Sequence, residues 1–149
     1  VVNNVNYGMT GGQYSGTTPR GSLTSTSPLG HVEDPFDLCA LAAAAGAPFV
    51  ARGSAAEGES LRRLIRQGME KKGFALVEAL SVCHTHFGRR NGIRTPAEAF
   101  KWLRDNTVRL DKKLPEDGGF ALGVFADRES EDYGARYLRA AKGAGGMKP

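Results

Sequence analysis

Two short stretches of this chain hold the residue types that chemistry uses. The first, Asn3 to Gln13, reads NNVNYGMTGGQ. A neutral side-chain oxygen such as that of Asn4 suits a hard cation of the kind that also holds phosphates. Two residues on, the backbone is close enough to add the carbonyl of Asn6. Gly8, Gly11 and Gly12 let backbone N–H groups approach anionic oxygens without side-chain clash, and Thr10 adds a hydroxyl. On residue types alone, a diphosphate–metal site and an ordinary Asn/Gly-rich turn both stay open. The second stretch, SVCHTHFGRRN, surrounds Cys83. A lone cysteine is most often a small buried hydrophobe. This one directly follows an apolar run, so its thiol is expected at a sheet edge, facing a pocket or an interface. Cys83, His84 and His86 stand too close together for the usual zinc spacings. Arg89 and Arg90 carry guanidinium forks that suit a coenzyme A phosphate or a substrate carboxylate, although a solvated basic turn is the simpler expectation. His31 has no partner that the sequence names.

These stretches need a scaffold, and the chain between them alternates in a way that supplies one. Pro35 to Gly46 reads as a short small-residue helix with Pro at its start and Gly at its end. Phe49 to Ala51 is a short buried strand. Glu57 to Lys72 is an amphipathic helix with Leu61, Leu64, Ile65 and Met69 at helical spacing and Gly73 beyond its end. Phe74 to Val82 is a strand whose near-continuous apolar run fits a parallel sheet covered on both faces. Thr95 to Thr107 is a helix with Phe100 and Leu103 on one face, Gly119 to Ala126 a strand, and Tyr133 to Lys142 a final helix. That rhythm means α/β with a mainly parallel sheet and flanking helices. In such sheets ligands sit at the carboxyl ends of the strands, where both stretches are expected. Cys39, among small apolar residues, is expected in the core, and Phe100 and Trp102 in the core or a subunit interface.

Composition narrows the function classes. The chain has 149 residues, a formal net charge of +4 and 40% hydrophobic residues, which fits one globular domain. No apolar run approaches the roughly 20 residues of a membrane span. Nothing at the start resembles a secretory signal, so a cytoplasmic location is expected. The two cysteines cannot form a disulfide framework. Residues 52–104 hold eleven bases against five acids, but the bases are scattered over two helices and a loop. That pattern argues against a nucleic-acid stripe. The Gly/Ser/Thr-rich opening contains Tyr7, Met9, Tyr14 and Leu23, and an ordered loop near a ligand fits it better than a flexible linker. The chain begins with valine, so a piece of a longer protein is expected.

The first stretch, with the GQYSGTTPRGSLTSTSPLG after it, resembles the thiamine-diphosphate-binding beta subunit of the 2-oxoacid:ferredoxin oxidoreductases, above all those acting on 2-oxoglutarate. The residues carrying the resemblance are Asn4, Tyr7, Gly8, Met9, Thr10, Gly12 and Gln13, then Tyr14 and Ser15. It continues through PFDLCALAAAAGAPFVAR, KKGFALVEALSVCHTHFGRRN and LGVFAD, to about residue 140. Many relatives have lysine where this chain has Gly11.

The resemblance implies the C-terminal part of a thiamine-diphosphate-binding domain. Residues 1–34 would be the cofactor loop, 35–142 an α/β core and 143–149 a tail. Asn4 would bind Mg²⁺ through its side chain and Asn6 through its carbonyl. Tyr7, Gly8, Met9 and Thr10 would line the diphosphate and the thiazolium end, with Met9 and Thr10 nearest the reaction. Gln13 would touch the cofactor or hold the loop. Cys83 would be the distant fourth ligand of a [4Fe–4S] cluster. The implied reaction converts a 2-oxoacid, coenzyme A and oxidised ferredoxin to acyl-CoA, CO₂ and reduced ferredoxin, in a hetero-oligomer with an alpha subunit. The family's Gly-Asp-Gly motif and three further cluster cysteines do not occur in these residues, so the polypeptide alone is expected neither to bind cofactor tightly nor to turn over. A thiamine-dependent decarboxylase or synthase without a cluster, and a non-catalytic piece kept for subunit assembly, are the competing readings.

Overall fold

A computed structural model describes residues 1–114 and 118–144. Five strands form one sheet in the order β1-β3-β2-β5-β4: β1 Val2–Asn3, β2 Phe49–Ser54, β3 Ala75–Leu80, β4 Thr107–Arg109 and β5 Phe120–Asp127. The β1–β3, β2–β3 and β4–β5 pairings are parallel, and β2–β5 is antiparallel. The helices are α1 Leu38–Ala44, α2 Gly58–Glu70, α3 Pro96–Asp105 and α4 Tyr133–Ala144. The α/β class and the mainly parallel sheet are therefore as expected. Of the tail expected at 143–149, residues 145–149 lie outside the described residues.

Strand alternation explains how the helices dispose themselves. Phe49, Ala51 and Gly53 share one face of β2, and α2 packs there. A Cβ on Gly53 would fall 2.9 Å from Leu61, and one on Gly68 would fall 2.9 Å from Val77. The closely approaching face of α2 is thus Leu61, Leu64 and Gly68. Ile65 and Met69, expected on the buried face, are exposed instead. On the opposite face, Val50 packs with Cys39, Ala47 and Ala126 beneath α1. A second apolar cluster of Val5, Leu80, Val82, Phe87, Ile93, Ala99 and Leu103 joins the first loop to β3 and α3.

Several boundaries differ from expectation for local reasons. Helix α1 starts at Leu38 because the Asp37 carboxylate caps it, accepting from the backbone N–H groups of Cys39 and Ala40. Strand β2 runs three residues past Ala51 and is buried throughout. Helix α3 is set by a capping box between Thr95 and Glu98 and stops at Asn106, so Thr107 opens β4 rather than closing the helix.

Candidate functional site

Strands β1 and β3 are parallel neighbours, with Val2 opposite Ala79 and Asn3 opposite Leu80. The loops leaving their carboxyl ends must therefore lie side by side, which brings the Asn4 and Cys83 stretches together. The Asn4 carbonyl accepts from the Cys83 N–H at 3.5 Å, and the Asn3 carbonyl accepts from Ser81 N–H at 2.8 Å. A Cβ on Gly8 would sit 2.9 Å from Cys83 Sγ, and one on Gly12 would sit 2.8 Å from His86 Cβ. Glycine is required at both points, because any side chain would push the two loops apart. From His84 to Gly88 the second loop forms a single π-helical turn, a rare form that occurs frequently at functional sites.

The chain turns sharply between Asn4 and Asn6. Val5 has φ 57°, a conformation that a β-branched residue adopts only under strain, at a cost of about 1–3 kcal/mol. Three observations show what holds it. The Val5 N–H donates to Asn3 Oδ1 at 2.9 Å, the Thr18 hydroxyl donates to the Val5 carbonyl at 2.7 Å, and the Val5 side chain is fully buried. The strained turn leaves Asn4 exposed and Asn6 only 7% exposed. Among the described residues, neither Oδ1 nor Nδ2 of Asn6 has a hydrogen-bond partner. A buried amide without partners is costly unless a ligand completes it. Asn4, Asn6, Tyr7, Gly8, Met9 and Thr10 all border one open cleft of about 650 Å³, whose lining also includes Phe36 and Leu38. The donor set fits a phosphate-bound hard cation: neutral oxygens, backbone approach at glycine and no competing base.

The remaining expected residues divide. Met9 is fully exposed at the rim. Gln13 does not border the cleft; it accepts from the Thr10 hydroxyl at 2.6 Å and donates to the Thr10 carbonyl at 3.0 Å. With the Tyr7–Gln13 backbone bridge, these bonds close the loop on itself. Gly11 has φ 115° with open space around it. Arg89 and Arg90 are exposed and lie away from the cleft. His31 is buried and its ring packs at a tilt against Tyr14, 4.7 Å between centroids, and Trp102 meets Phe87 edge-on at 5.6 Å. The Gly/Ser/Thr-rich opening is ordered: Asn91 ties it down by accepting from Leu23 N–H at 2.8 Å and donating to the Leu23 carbonyl at 2.9 Å.

Beneath the cleft lies a polar cluster that the sequence reading missed. Glu78 on β3 is 1% exposed and Arg52 on β2 is 4% exposed. Arg52 Nε donates to Glu78 Oε2 at 2.7 Å, and its Nη2 donates to Asp37 Oδ1 at 2.6 Å. Glu78 Oε1 accepts from Asn3 Nδ2 at 2.7 Å. The Phe125 ring lies 5.1 Å from the guanidinium, a cation–π distance. The signal was a single acid inside an otherwise apolar strand, FALVEALSV, which requires a buried partner.

The two cysteines differ sharply in environment. Burial and the neighbouring Glu78 carboxylate, against the opposing Arg52 charge, push the Cys39 thiol up to about 12. Cys83 is half-buried beside the cleft. Brief alkylation at neutral pH is expected to label Cys83 and spare Cys39, because only the thiolate reacts. Equal labelling of both, read by mass spectrometry, would show that the Cys39 thiol is neither buried nor held protonated.

Comparison with known proteins bears on this site. Residues 1–79 match the family described as thiamine pyrophosphate enzyme, C-terminal TPP binding domain. The chain is 47% identical over 131 residues to 2-oxoglutarate synthase subunit KorB of Methanothermobacter marburgensis, covering 85% of this chain and 46% of that protein. It is 44% identical over 137 residues to the KorB subunit of Methanocaldococcus jannaschii, covering 89% and 51%. The chain thus spans about half the length of these relatives. In fold it matches a solved 2-oxoglutarate:ferredoxin oxidoreductase from Magnetococcus marinus, a structure with 2-oxoglutarate, coenzyme A and succinyl-CoA bound. The TM-score is 0.75 at 24% identity, over 97% of this chain and 51% of that one.

Proposed function

Because the chain belongs to the thiamine pyrophosphate enzyme family with a C-terminal TPP-binding domain, we propose that it is the C-terminal portion of a beta subunit of a 2-oxoacid:ferredoxin oxidoreductase, with 2-oxoglutarate as substrate. The enzyme converts the 2-oxoacid and coenzyme A to acyl-CoA and CO₂ and passes electrons to ferredoxin, in a hetero-oligomer with an alpha subunit. The observation that carries this reading is the strained Asn4–Val5–Asn6 turn at the edge of the cleft, which exposes Asn4 and buries an unpartnered Asn6 amide beneath it.

Asn4 Oδ1 and the Asn6 carbonyl hold Mg²⁺, and the N–H groups around Gly8 and Met9 hold the diphosphate. Met9 and Thr10 line the reacting end. When bound, thiamine diphosphate supplies the nucleophilic carbon and the electron sink for decarboxylation. Cys83 offers one thiol to a [4Fe–4S] cluster. Three further ligands, and an acidic ligand for Mg²⁺, come from outside these 149 residues.

The test is turnover of 2-oxoglutarate by the full-length subunit in its complex, with coenzyme A and oxidised ferredoxin, alongside electron paramagnetic resonance of the reduced protein. A cluster signal that is lost or altered in Cys83→Ala, together with succinyl-CoA formation, is expected. Turnover without any cluster signal would favour the clusterless thiamine enzyme, and no turnover with any 2-oxoacid would leave only an assembly role.

A further inference from the structure

We infer that Glu78 is a positioning residue for the cation-binding turn, acting through Asn3. This inference rests on the thiamine-diphosphate reading above. Glu78 does not itself border the cleft; it bonds Asn3, which does, and its effect is one of hydrogen-bond polarity passed along three residues.

The chain of donors and acceptors has only one consistent direction. Arg52 has donors only, so the Glu78 oxygen facing its Nε must accept. The other Glu78 oxygen then faces the Asn3 amide at 2.7 Å. As a carboxylate oxygen it accepts, so Asn3 must turn its NH₂ toward it. That leaves Asn3 Oδ1 pointing the other way, where it accepts from the Val5 N–H at 2.9 Å and the Thr17 hydroxyl at 2.9 Å. The Val5 N–H bond is one of the restraints that keep φ at 57°, and that φ sets Asn4 and Asn6 at the cleft. Reversing the amide would oppose its NH₂ to the Val5 N–H, two donors face to face, and release the turn. Asp37, by contrast, contacts Arg52 from the exposed side and caps α1 without touching Asn3.

Swapping the polarity of these bonds, in the full-length subunit within its complex, tests the inference. The readouts are the Mg²⁺ concentration that half-saturates thiamine-diphosphate binding and the thermal unfolding midpoint. In Glu78→Gln, the side-chain oxygen still accepts from Arg52, but the new NH₂ meets the Asn3 NH₂. The Mg²⁺ requirement is expected to rise by about tenfold or more, as for lost outer-shell partners of a metal site. Adding Asn3→Asp restores every donor–acceptor match. The amide introduced at position 78 then donates to the carboxylate introduced at position 3, whose other oxygen accepts from the Val5 N–H and the Thr17 hydroxyl. The double variant is expected to recover the wild-type Mg²⁺ requirement. Asp37→Ala is expected to lower the unfolding midpoint and leave the Mg²⁺ requirement unchanged, which separates positioning from general stability.

An unchanged Mg²⁺ requirement in Glu78→Gln overturns the inference while leaving the cofactor reading intact. So does a double variant as impaired as the single one. If Glu78→Gln does not fold, the double variant alone decides, on the same criterion. Absence of Mg²⁺-dependent binding in the wild-type complex overturns the cofactor reading and this inference together.

Discussion

Replacing Asn4 by alanine is expected to weaken Mg²⁺-dependent thiamine-diphosphate binding by about 100-fold or more. Loss of an outer-shell partner alone costs roughly 10–100-fold in metal affinity, and Asn4 is placed to be a direct ligand. The size of the effect follows from the lack of substitutes. Asn4 is exposed on the cleft, its neighbour Asn3 is committed to Glu78, and Asn6 is held by the same strained turn. The Asn6 side chain is buried, so it reaches the vacated position only if the turn itself moves. Stability should change little, because Asn4 makes no side-chain hydrogen bond among the described residues and buries little area; surface substitutions of this kind usually stay within about 0.5 kcal/mol. Calorimetry on the intact subunit in its complex measures the affinity, and unchanged binding would remove Asn4 from the site.

The second large effect concerns the fold itself. Glu78→Ala leaves the Arg52 guanidinium almost fully buried, with the half-exposed Asp37 as its one remaining charged partner among the described residues. Breaking a buried pair by removing one partner costs about 3–5 kcal/mol, which is a large share of the stability of a domain of this size. The alanine also leaves the Asn3 amide and the Cys39 thiol without their acceptor. Replacing both charges, with Arg52→Met and Glu78→Leu, is expected to recover most of that loss, since well-packed apolar residues often match a buried ion pair. Urea unfolding monitored by far-ultraviolet circular dichroism distinguishes the two variants. A single alanine that unfolds at the wild-type midpoint would mean that water reaches Arg52.

The parts of this structure that were legible in the sequence are those governed by short-range rules. Helix α2 announced itself by apolar spacing and β3 by its continuous apolar run. The Thr95–Glu98 capping box explains the start of α3, and the turn residues of the first loop explain its order. What was not legible depended on partners far away in the chain. Arg52 and Gly53 read as the end of a strand, because a charge and a glycine are poor strand residues. They continue β2 only because Glu78 neutralises one and the Leu61 side chain fills the space over the other. Strand β1 is two residues long and owes its existence to pairing with β3, and β4 to pairing with β5. The same distinction holds in the site. The motif residues Asn4 to Thr10 were visible as a motif, whereas the strain at Val5, the unpartnered Asn6 amide and the support from Glu78 through Asn3 emerged only once β1 and β3 were seen side by side.

The most direct test of the central proposal, that the first loop holds a diphosphate–cation site while packed against the Cys83 loop, is hydrogen–deuterium exchange on the full-length subunit in its complex, with and without thiamine diphosphate and Mg²⁺. The expected result is slowed exchange at residues 4–12 and, through the contacts at Gly8 and Gly12, at residues 83–88, with none at α4. Unchanged exchange at residues 4–12 while the cofactor is bound would place the cofactor elsewhere and contradict the proposal.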